Sequence, residues 1–579
     1  MATIPPVFGI SGSLKVRLWR GERMCLIAMD VTDPQPDFVG FAIEVKSPGS
    51  PQFWALRNRL AFAYPEGTTI TGNRDYPTTE APLQTFRWIH FPYDPKEGRY
   101  DYRVTMIHMA GDTVSKGDSV TCSIVLFDTT AEGIVDIGFT RNFASSQAFA
   151  DKFPDAAARK LILPPANRGL SWPKDKAPAG VYQWLGGKAN DLLAALLAEA
   201  RTDPTITLDV MAYDLDEPDF LAAIEAVAKG AAVKDTPRLR ILIDDSKGHN
   251  AGTDCETIAA TRLTAAGAQV RRHHFDGLQH NKVIVACKAG APYRVICGST
   301  NFSFRGLYIQ ANNMLAFSDA EMVALFKRMF DLAFQGPKML EGDPLSKMWQ
   351  HVGPEDAPVA RICFSPHPGA ADLSLTPLAG AIQQAQSSVL YAVAFLNQDL
   401  HGPTRTALDA LMAKPLFSYG IANRDDGLEL RKPDGSIGLV DFAYLSAHAP
   451  EPFKAEWAGG SGITIHHKFV VVDFDRPTAK LFAGSSNLSV SGEENNGDHL
   501  IEIADPRVAT AYAIEALRMF DHLRFRTKMK DSAPADQPKG VGVITLQKPP
   551  APGQPAWFAP FYVADSQKAR DRLLFSRQP

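Results

Sequence analysis

Two short motifs occur twice in this chain at a constant spacing, and the repetition constrains the fold more than any other feature. The first copy is HNKVIVACKAGAPYRVICGSTNFS, residues 280–303, and the second lies in GITIHHKFVVVDFDRPTAKLFAGSSNLS, residues 462–489. The matched residues, each 186 positions apart, are His280 with His466, Lys282 with Lys468, Gly298 with Gly484, Ser299 with Ser485 and Asn301 with Asn487. The register continues to Gln310 with Asn496 and to Asn312 with Asp498. Such a repeat predicts two copies of one structural unit.

The segments around both copies alternate between strand and helix patterns. NDLLAALLAEA (190–200) has helical spacing, while ITLDVMAYDL (206–215) and RLRILIDD (238–245) are apolar, strand-like runs. The same order recurs in TPLAGAIQQAQ, SSVLYAVAFL (387–396) and PLFSYGIANRDD. Alternation of this kind predicts an α/β fold with largely parallel sheets.

The two ends of the chain follow different patterns. Up to about residue 130, segments such as RYDYRVTMIHM alternate strictly between apolar and polar residues and are separated by turns, which predicts an immunoglobulin-like β-sandwich. After about residue 530 the chain is Pro-rich and ends in the apolar patch WFAPFYV, which we expect to pack on the body. The predicted domains are 1–130 (accessory sandwich), 131–350 and 351–530 (the repeated units) and 531–579 (tail).

Composition limits the classes of partner and compartment. The formal net charge of −4 provides no global basic field for nucleic acid, and none of the six cysteines forms a CxxC pair that would indicate a zinc cluster. Reduced thiols and the lack of a visible signal peptide favour the cytoplasm; a removed signal would make the protein secreted or periplasmic. No apolar run approaches the ~20 residues of a membrane span.

The repeated residues suit phosphoryl chemistry. On a strand, His and Lys two positions apart share one face, so the imidazole can attack phosphorus or move a proton while the ammonium holds a phosphate oxygen. The Asn amide and the Ser hydroxyl can donate to further oxygens, and two copies supply a nucleophile, a general acid and a charge clamp without metal. In the sequence HHK, alternation selects His466 as the partner of Lys468 and gives His467 a structural role.

This pattern resembles the phospholipase D superfamily, whose signature is HxK, an apolar run, GSxN and a polar residue eleven positions later. The similarity covers about residues 180–525 and is to bacterial-type enzymes, here with an extra N-terminal sandwich. It implies two α/β halves packed face to face, one active site at the seam and no metal or cofactor. The second copy has the complete HKD form with Asp473, a supporting residue in the family, where the first copy has Cys287.

The resemblance also implies roles for the site residues. In the family, the position of Asn312 and Asp498 contacts the histidine of its own copy. We therefore expect His466, backed by Asp498, to rest protonated as the general acid, and neutral His280 beside Asn312 to form the phosphohistidine. The catalytic set is His280, His466, Lys282, Lys468, Asn301, Asn487, Asp498 and Asn312, and the substrate-binding set is Ser299, Ser485, Gln310 and Asn496.

The motifs alone do not select the substrate. We interpret the chain as a hydrolase of phospholipid head groups, acting in lipid degradation, with WFAPFYV or Phe302, Phe304 and Tyr308 as an apolar entrance. The alternatives are a nuclease, for which basic clusters are sparse, a phosphodiesterase of small molecules, and an inactive binding protein. Hydrolysis versus transfer to an alcohol, and any protein partner, stay open.

Overall fold

The computed structural model describes most of the chain, including the repeated residues of both motif copies. The described residues are 7–58, 60–64, 75–126, 133, 135–141, 149, 152–165, 168–354, 359–397, 400–424, 427–434, 436–440, 465–531 and 545–577.

The N-terminal region folds as two packed antiparallel sheets, as the alternating sequence predicts. One sheet has the order β1-β2-β3-β8 and the other β10-β9-β4-β5, with a small β6-β7 pair beside them. In β9, Tyr100, Tyr102 and Val104 are buried, while Asp101 and Arg103 between them are partly exposed, so the apolar face turns inward. The strands are β1 (Val7–Ser11), β2 (Leu14–Arg20), β3 (Cys25–Val31), β4 (Phe38–Lys46), β5 (Trp54–Ala55), β6 (Arg57–Asn58), β7 (Tyr76–Pro77), β8 (Arg87–His90), β9 (Gly98–Ala110) and β10 (Thr113–Leu126).

The first repeated unit is built on a seven-stranded sheet of order β11-β17-β16-β15-β12-β13-β14. Its strands are β11 (Asp136–Phe139), β12 (Ile206–Ala212), β13 (Leu239–Ile243), β14 (Gln269–Arg272), β15 (Val283–Lys288), β16 (Ala291–Gly298) and β17 (Asn313–Phe317). Its helices are α1 (Ala156–Arg159), α2 (Val181–Thr202), α3 (Pro218–Ala228), α4 (Cys255–Ala265), α5 (Phe304–Tyr308), α6 (Ala320–Gln335) and α7 (Pro337–Gly342).

The second unit repeats this plan in a nine-stranded sheet of order β18-β19-β26-β25-β24-β20-β21-β22-β23. Its strands are β18 (Gln350–Val352), β19 (Ala360–Ser365), β20 (Ser388–Val393), β21 (Phe417–Arg424), β22 (Gly427–Arg431), β23 (Ile437–Val440), β24 (Lys468–Val472), β25 (Lys480–Gly484) and β26 (Asp498–Ile503). Its helices are α8 (Asp372–Gln384), α9 (Pro403–Leu411), α10 (Val490–Asn495) and α11 (Pro506–Asp531).

The expectation of largely parallel sheets is wrong. Among the described strands, the parallel neighbours are β12-β13 and β13-β14 in the first unit and β20-β21 in the second, and the other neighbours within these two sheets are antiparallel. The reason lies in the motif itself, because the HxK and GSxN segments form neighbouring strands joined by a tight hairpin. Ala289 and Gly290 occupy that turn in the first copy with φ of 50° and 85°, and a two-residue connection can join only antiparallel strands.

The C-terminal tail returns to the N-terminal sandwich. Trp557 and Phe558 are buried in the sandwich core, and the Trp557 indole nitrogen donates to the Phe38 carbonyl oxygen at 2.9 Å. A further helix, α12 (Gln567–Ser576), packs on β3. The prediction that WFAPFYV packs on the body is therefore confirmed, although its partner is the sandwich. Among the described helices, none is long and apolar enough to cross a membrane.

The two units meet at a seam with approximate twofold symmetry. Gln279 forms a parallel bridge with Gly497, and the matched residues Ile465 and Ala311 form the equivalent bridge. The His280 and His466 amides donate across the seam, at 3.0 Å, to the carbonyl oxygens of Gly497 and Ala311 respectively. Each motif strand is thus tied at its start to the other unit, which brings both histidines to the seam.

Candidate active site

The motif histidines and lysines lie just before or at the start of β15 and β24 and are almost fully buried at the seam. The Lys468 ammonium donates to the His466 carbonyl oxygen at 2.9 Å, and Lys282 makes the same contact with His280. His467 points to the opposite side of the strand, where it packs on Phe139 and lies 3.5 Å from the Glu515 carboxylate. The side-chain alternation used to choose His466 is present in the structure.

Each motif histidine is held by the other unit, which makes the predicted own-copy pairing wrong. His280 Nδ1 lies 2.8 Å from Asp498 Oδ1, and His466 Nδ1 lies 2.8 Å from Asn312 Oδ1. The exchange follows from the seam: Ala311 and Gly497 are bridged to the opposite unit, so the next residues face the opposite histidine. The carboxylate therefore supports His280, and the amide supports His466.

These contacts fix how the rings can react. Asn312 Nδ2 donates to the Gly306 carbonyl oxygen at 2.9 Å, which turns Oδ1 toward His466. With Nδ1–H donating to Asn312 in one ring and to Asp498 in the other, Nε2 of each ring stays available for a substrate.

The motif serines support these partners. Ser299 Oγ donates to Asn312 Oδ1 at 2.9 Å, and Ser485 Oγ donates to Asp498 Oδ1 at 2.6 Å. A hydroxyl has one proton to donate, so the expectation that Ser299 and Ser485 donate to the substrate is wrong. They are positioned behind the histidines.

Burial disfavours positive charge on the histidines and lysines of the site. It lowers the pKa of His466 well below the usual value, and the charges of Lys468, Lys282 and His280 lower it further. Burial also lowers the pKa of His280, although the charge of Asp498 acts in the opposite direction. The expectation that Asp498 supports a protonated His466 is therefore wrong: burial and the nearby cations lower the pKa of His466, and its supporting residue is the neutral amide of Asn312. Burial likewise lowers the pKa of Lys282 to about 8 and that of Lys468 well below its ordinary value.

The remaining predicted polar residues divide into two groups. Asn301, Asn487 and Gln310 each have a buried side-chain carbonyl oxygen without a hydrogen-bond partner, and the Asn301 amide nitrogen donates to Asp214. Asn496 belongs to the seam, since its Oδ1 accepts from the Leu278 amide of the other unit at 2.8 Å. Asn496 thus positions the loop that leads to His280.

Asp473 lies at the far end of its strand from the histidine. Its carboxylate accepts from the backbone amides of Gln386 and Ser387 at 3.0 and 2.7 Å and closes the loop before β20. Five residues separate it from Lys468, or about 17 Å along an extended strand. Cys287, its counterpart, is buried at the equivalent end of β15, so the substitution leaves the first histidine's surroundings intact.

Two aromatic residues outside the predicted catalytic and substrate-binding sets border the site. The Tyr213 ring lies edge-on to His280 with centroids 5.1 Å apart, and Lys282 Nζ is 4.8 Å from its centroid. Phe395 has the corresponding place in the second unit, 6.3 Å from the His466 ring and 5.7 Å from Lys468 Nζ. The signal for both was their position just past β12 and β20, the strands that pair with β15 and β24.

Behind Tyr213 lies a charged cluster that the sequence reasoning missed. The two ring nitrogens of His249 face Asp244 Oδ2 at 2.9 Å and Asp214 Oδ1 at 3.2 Å. Although burial opposes the charge, these two carboxylates raise the pKa of His249 to about 10. Asp214, His249 and Glu256 are close enough to share a metal ion, but an imidazolium has no lone pair to offer one.

Comparison with known proteins identifies the first unit directly. Residues 193–333 match the family model described as cardiolipin synthase, PLD-like domain. No curated protein sequence matches the chain.

The similar solved structures are remote. Phosphatidylserine synthase of Haemophilus influenzae Rd KW20 has 14% identity and a TM-score of 0.39, over 57% of this chain and 84% of that one. Nuc of Salmonella typhimurium, a phospholipase D family member, has 22% identity and a TM-score of 0.21, over 25% of this chain and 84% of that one. Polyphosphate kinase of Porphyromonas gingivalis has 14% identity and a TM-score of 0.36, over 61% of this chain but only 52% of that one.

The family match falls within the first of two units that share strand pairing and motif register. The first unit is therefore identified as a phospholipase D-like domain.

Proposed function

We propose that this protein is a metal-independent phosphodiester hydrolase that forms a phosphohistidine on His280. The observation that carries the proposal is the crossed support of the two histidines, which leaves Nε2 of each free at one seam beside two lysines. Because Asp498 supports one ring and Asn312 the other, the two imidazoles suit different tasks.

His280 is the nucleophile in this scheme. Its Nε2 attacks phosphorus, and the positive charge that develops on the ring is stabilised by Asp498 at Nδ1. The ester P–O bond breaks, and the leaving oxygen takes the proton from His466 Nε2. Water then attacks the phosphohistidine, His466 takes a proton from that water, and the P–N bond breaks.

Substrate binding favours the protonated form of His466. Burial and the nearby cations lower the pKa of His466. A phosphodiester brings a negative charge between those groups and raises the pKa of His466 and of both lysines. His466 thus becomes protonated when the substrate is bound, and its proton is then available to the leaving oxygen.

Phospholipid head groups are the proposed substrate class. The matched family model is described by cardiolipin synthase, the name of an enzyme of phospholipid metabolism. The partly exposed Asp214 carboxylate beside Asn301 and the net charge of −4 disfavour a long polyanion such as DNA.

The apolar-entrance argument from the sequence is wrong, however. Phe302, Phe304 and Tyr308 are buried in the first unit's core, and Trp557 and Phe558 in the sandwich. An entrance for lipid would have to come from other residues.

A substrate panel tests the proposal. Vesicles of phosphatidylcholine or cardiolipin, bis(4-nitrophenyl) phosphate, and single- and double-stranded DNA are incubated with wild type, His280→Ala and His467→Gln. We expect turnover of a lipid and of the aryl diester by wild type and His467→Gln, lost in His280→Ala and unchanged by EDTA. Cleavage of DNA alone would replace the lipid proposal with a nuclease, and turnover only of the aryl diester would indicate a small-molecule phosphodiesterase.

A further inference from the structure

The first unit carries an ionic cluster whose two aspartate positions are occupied by the neutral residues Leu396 and Asn423 in the second unit. His249 lies between two carboxylates, with Nδ1 2.9 Å from Asp244 and Nε2 3.2 Å from Asp214. A neutral imidazole would present a lone pair to one of these carboxylates, so the arrangement requires the doubly protonated ring. Other titratable groups near the cluster are Glu256, Asp216, Arg272 and the two site lysines. Arg272 donates to the backbone carbonyl oxygens of Asp244 and His249.

Each carboxylate uses its second oxygen to hold part of the first motif. Asp214 Oδ2 accepts from the Asn301 amide, and Asp244 Oδ1 accepts at 2.7 Å from the backbone amide of Gln279, the residue before His280. The Tyr213 ring packs between the rings of His249 and His280, with centroid distances of 4.6 and 5.1 Å. His249 is therefore linked to His280 along two routes, through Asp244 and through Tyr213, and to Asn301 along a third, without touching either residue.

The second unit shows how the same backbone is held without a histidine. Asn423 corresponds to Asp244, since their amides donate to the matched Ala394 and Ala212 carbonyl oxygens. Asn423 forms both backbone hydrogen bonds with Ile465, accepting from its amide at 3.3 Å and donating to its carbonyl oxygen at 3.0 Å.

The second unit also lacks the other carboxylate. Leu396, which is buried, corresponds to Asp214, since each lies two positions past its matched alanine, Ala394 or Ala212. A single amide thus replaces a carboxylate–imidazolium–carboxylate array.

We propose that His249 is a positioning residue of the first half, which holds Asp214 and Asp244 so that the Asn301 amide and His280 keep their reactive geometry. The inference rests on the proposed function for its catalytic meaning. Without the cation, two carboxylates would face each other across the gap, and Asp214 would compete with the substrate phosphate for the charges of Lys282 and Lys468. In the described part of the second unit, the two matched positions hold the neutral Leu396 and Asn423, so neither requires a cation beside it.

The test combines one disrupting variant, one designed repair and one matched control. His249→Gln removes the cation. The double variant His249→Gln/Asp244→Asn adds the amide that the second unit uses at Asn423. His274→Gln is the control, because His274 also pairs with an aspartate, Asp245, at 2.6 Å but is exposed. Each protein is measured for kcat and KM on bis(4-nitrophenyl) phosphate, for binding of inorganic vanadate and for melting temperature.

We expect His249→Gln to lower kcat by about 10- to 100-fold with a much smaller change in KM, because His280 and the Asn301 amide would be slightly misplaced. Vanadate, which adopts the five-coordinate geometry of phosphoryl transfer, should bind correspondingly more weakly. The double variant should regain about tenfold over His249→Gln. His274→Gln should match wild type in every readout.

Either of two results would overturn the inference: kcat and vanadate affinity of His249→Gln within about twofold of wild type, or a double variant no better than the single one. If His249→Gln does not fold, the double variant is compared with wild type instead. A double variant that folds but has a kcat more than about 100-fold below that of wild type also overturns the inference. If wild type turns over no substrate, the hydrolase proposal fails by itself. Vanadate binding then tests the positioning role of His249. Such a role predicts that vanadate affinity is lost in His249→Gln and recovered in the double variant.

Discussion

At the scale of single residues, the two histidines differ in the group that supports each of them from the opposite unit, a carboxylate for one and an amide for the other. Asp498 supports His280 and Asn312 supports His466, each at 2.8 Å. The sequence identifies all four residues, because they repeat in register. It could not show which supports which, since that depends on how the two units dock.

The difference between carboxylate and amide predicts a specific pH response. Asn312→Asp places a carboxylate at His466 Nδ1, which favours the imidazolium and raises the pKa of His466. His466 must be protonated when the leaving oxygen departs, so activity falls as pH rises through that pKa. We therefore expect the alkaline limb of the kcat profile to move upward by about one pH unit.

The converse change supplies the control. Asp498→Asn removes the charge that opposes the burial-lowered pKa of His280, so that pKa falls further. His280 must be neutral to attack, and the acid limb should therefore move to lower pH while kcat drops. An unchanged alkaline limb in a folded Asn312→Asp protein would argue against His466 as the acid.

At the scale of strands and loops, the period-two alternation was a reliable guide within one strand. It placed His466 and Lys468 on one side and His467 on the other, as the structure has them. Sheet topology was less predictable, because the apolar runs of β15 and β24 suit parallel and antiparallel sheets equally. The hairpin that decides the question depends on Ala289 and Gly290, whose turn conformation the sequence analysis did not consider.

Asp473 illustrates how a motif residue can act on folding alone. It accepts hydrogen bonds from the loop before β20, at the opposite end of β24 from Lys468. We expect Asp473→Ala to lower the free energy of unfolding by about 1–3 kcal/mol, since the backbone amides of this partly buried loop lose their acceptor. The kcat per folded molecule should be nearly unchanged. Denaturant titration and active-site-normalised kinetics check both statements, and a folded variant with strongly reduced kcat would contradict them.

At the scale of the whole molecule, the site exists only where the two units meet. The bridges Gln279–Gly497 and Ala311–Ile465 join them, and Asn496 adds a contact to Leu278. The repeat in the sequence predicted this pairing through the family resemblance. The ionic cluster of the first unit was missed because Asp214, Asp244 and His249 are spread over 36 residues and have no matched copies.

The C-terminal tail packs against the N-terminal sandwich. Trp557 is buried in the sandwich core and donates to the Phe38 carbonyl oxygen at 2.9 Å. Trp557→Ala should lower the free energy of unfolding by about 3 kcal/mol, through the cavity and the lost bond. With no contact to the seam residues, it should leave kcat unchanged at temperatures where the protein is folded. A lower melting temperature with an unchanged kcat is the expected pair of results, and a large loss of kcat would show that the tail supports the site.

The central claim is that His280 carries the covalent intermediate. The most direct measurement is an alkaline quench of wild type during turnover, which preserves acid-labile phosphohistidine, followed by mapping of the modified residue by mass spectrometry. We predict modification of His280 in wild type, accumulation of the same adduct in His466→Ala with an activated aryl diester, and no adduct in His280→Ala. An adduct on His466, present in His280→Ala and absent from His466→Ala, would contradict the assignment.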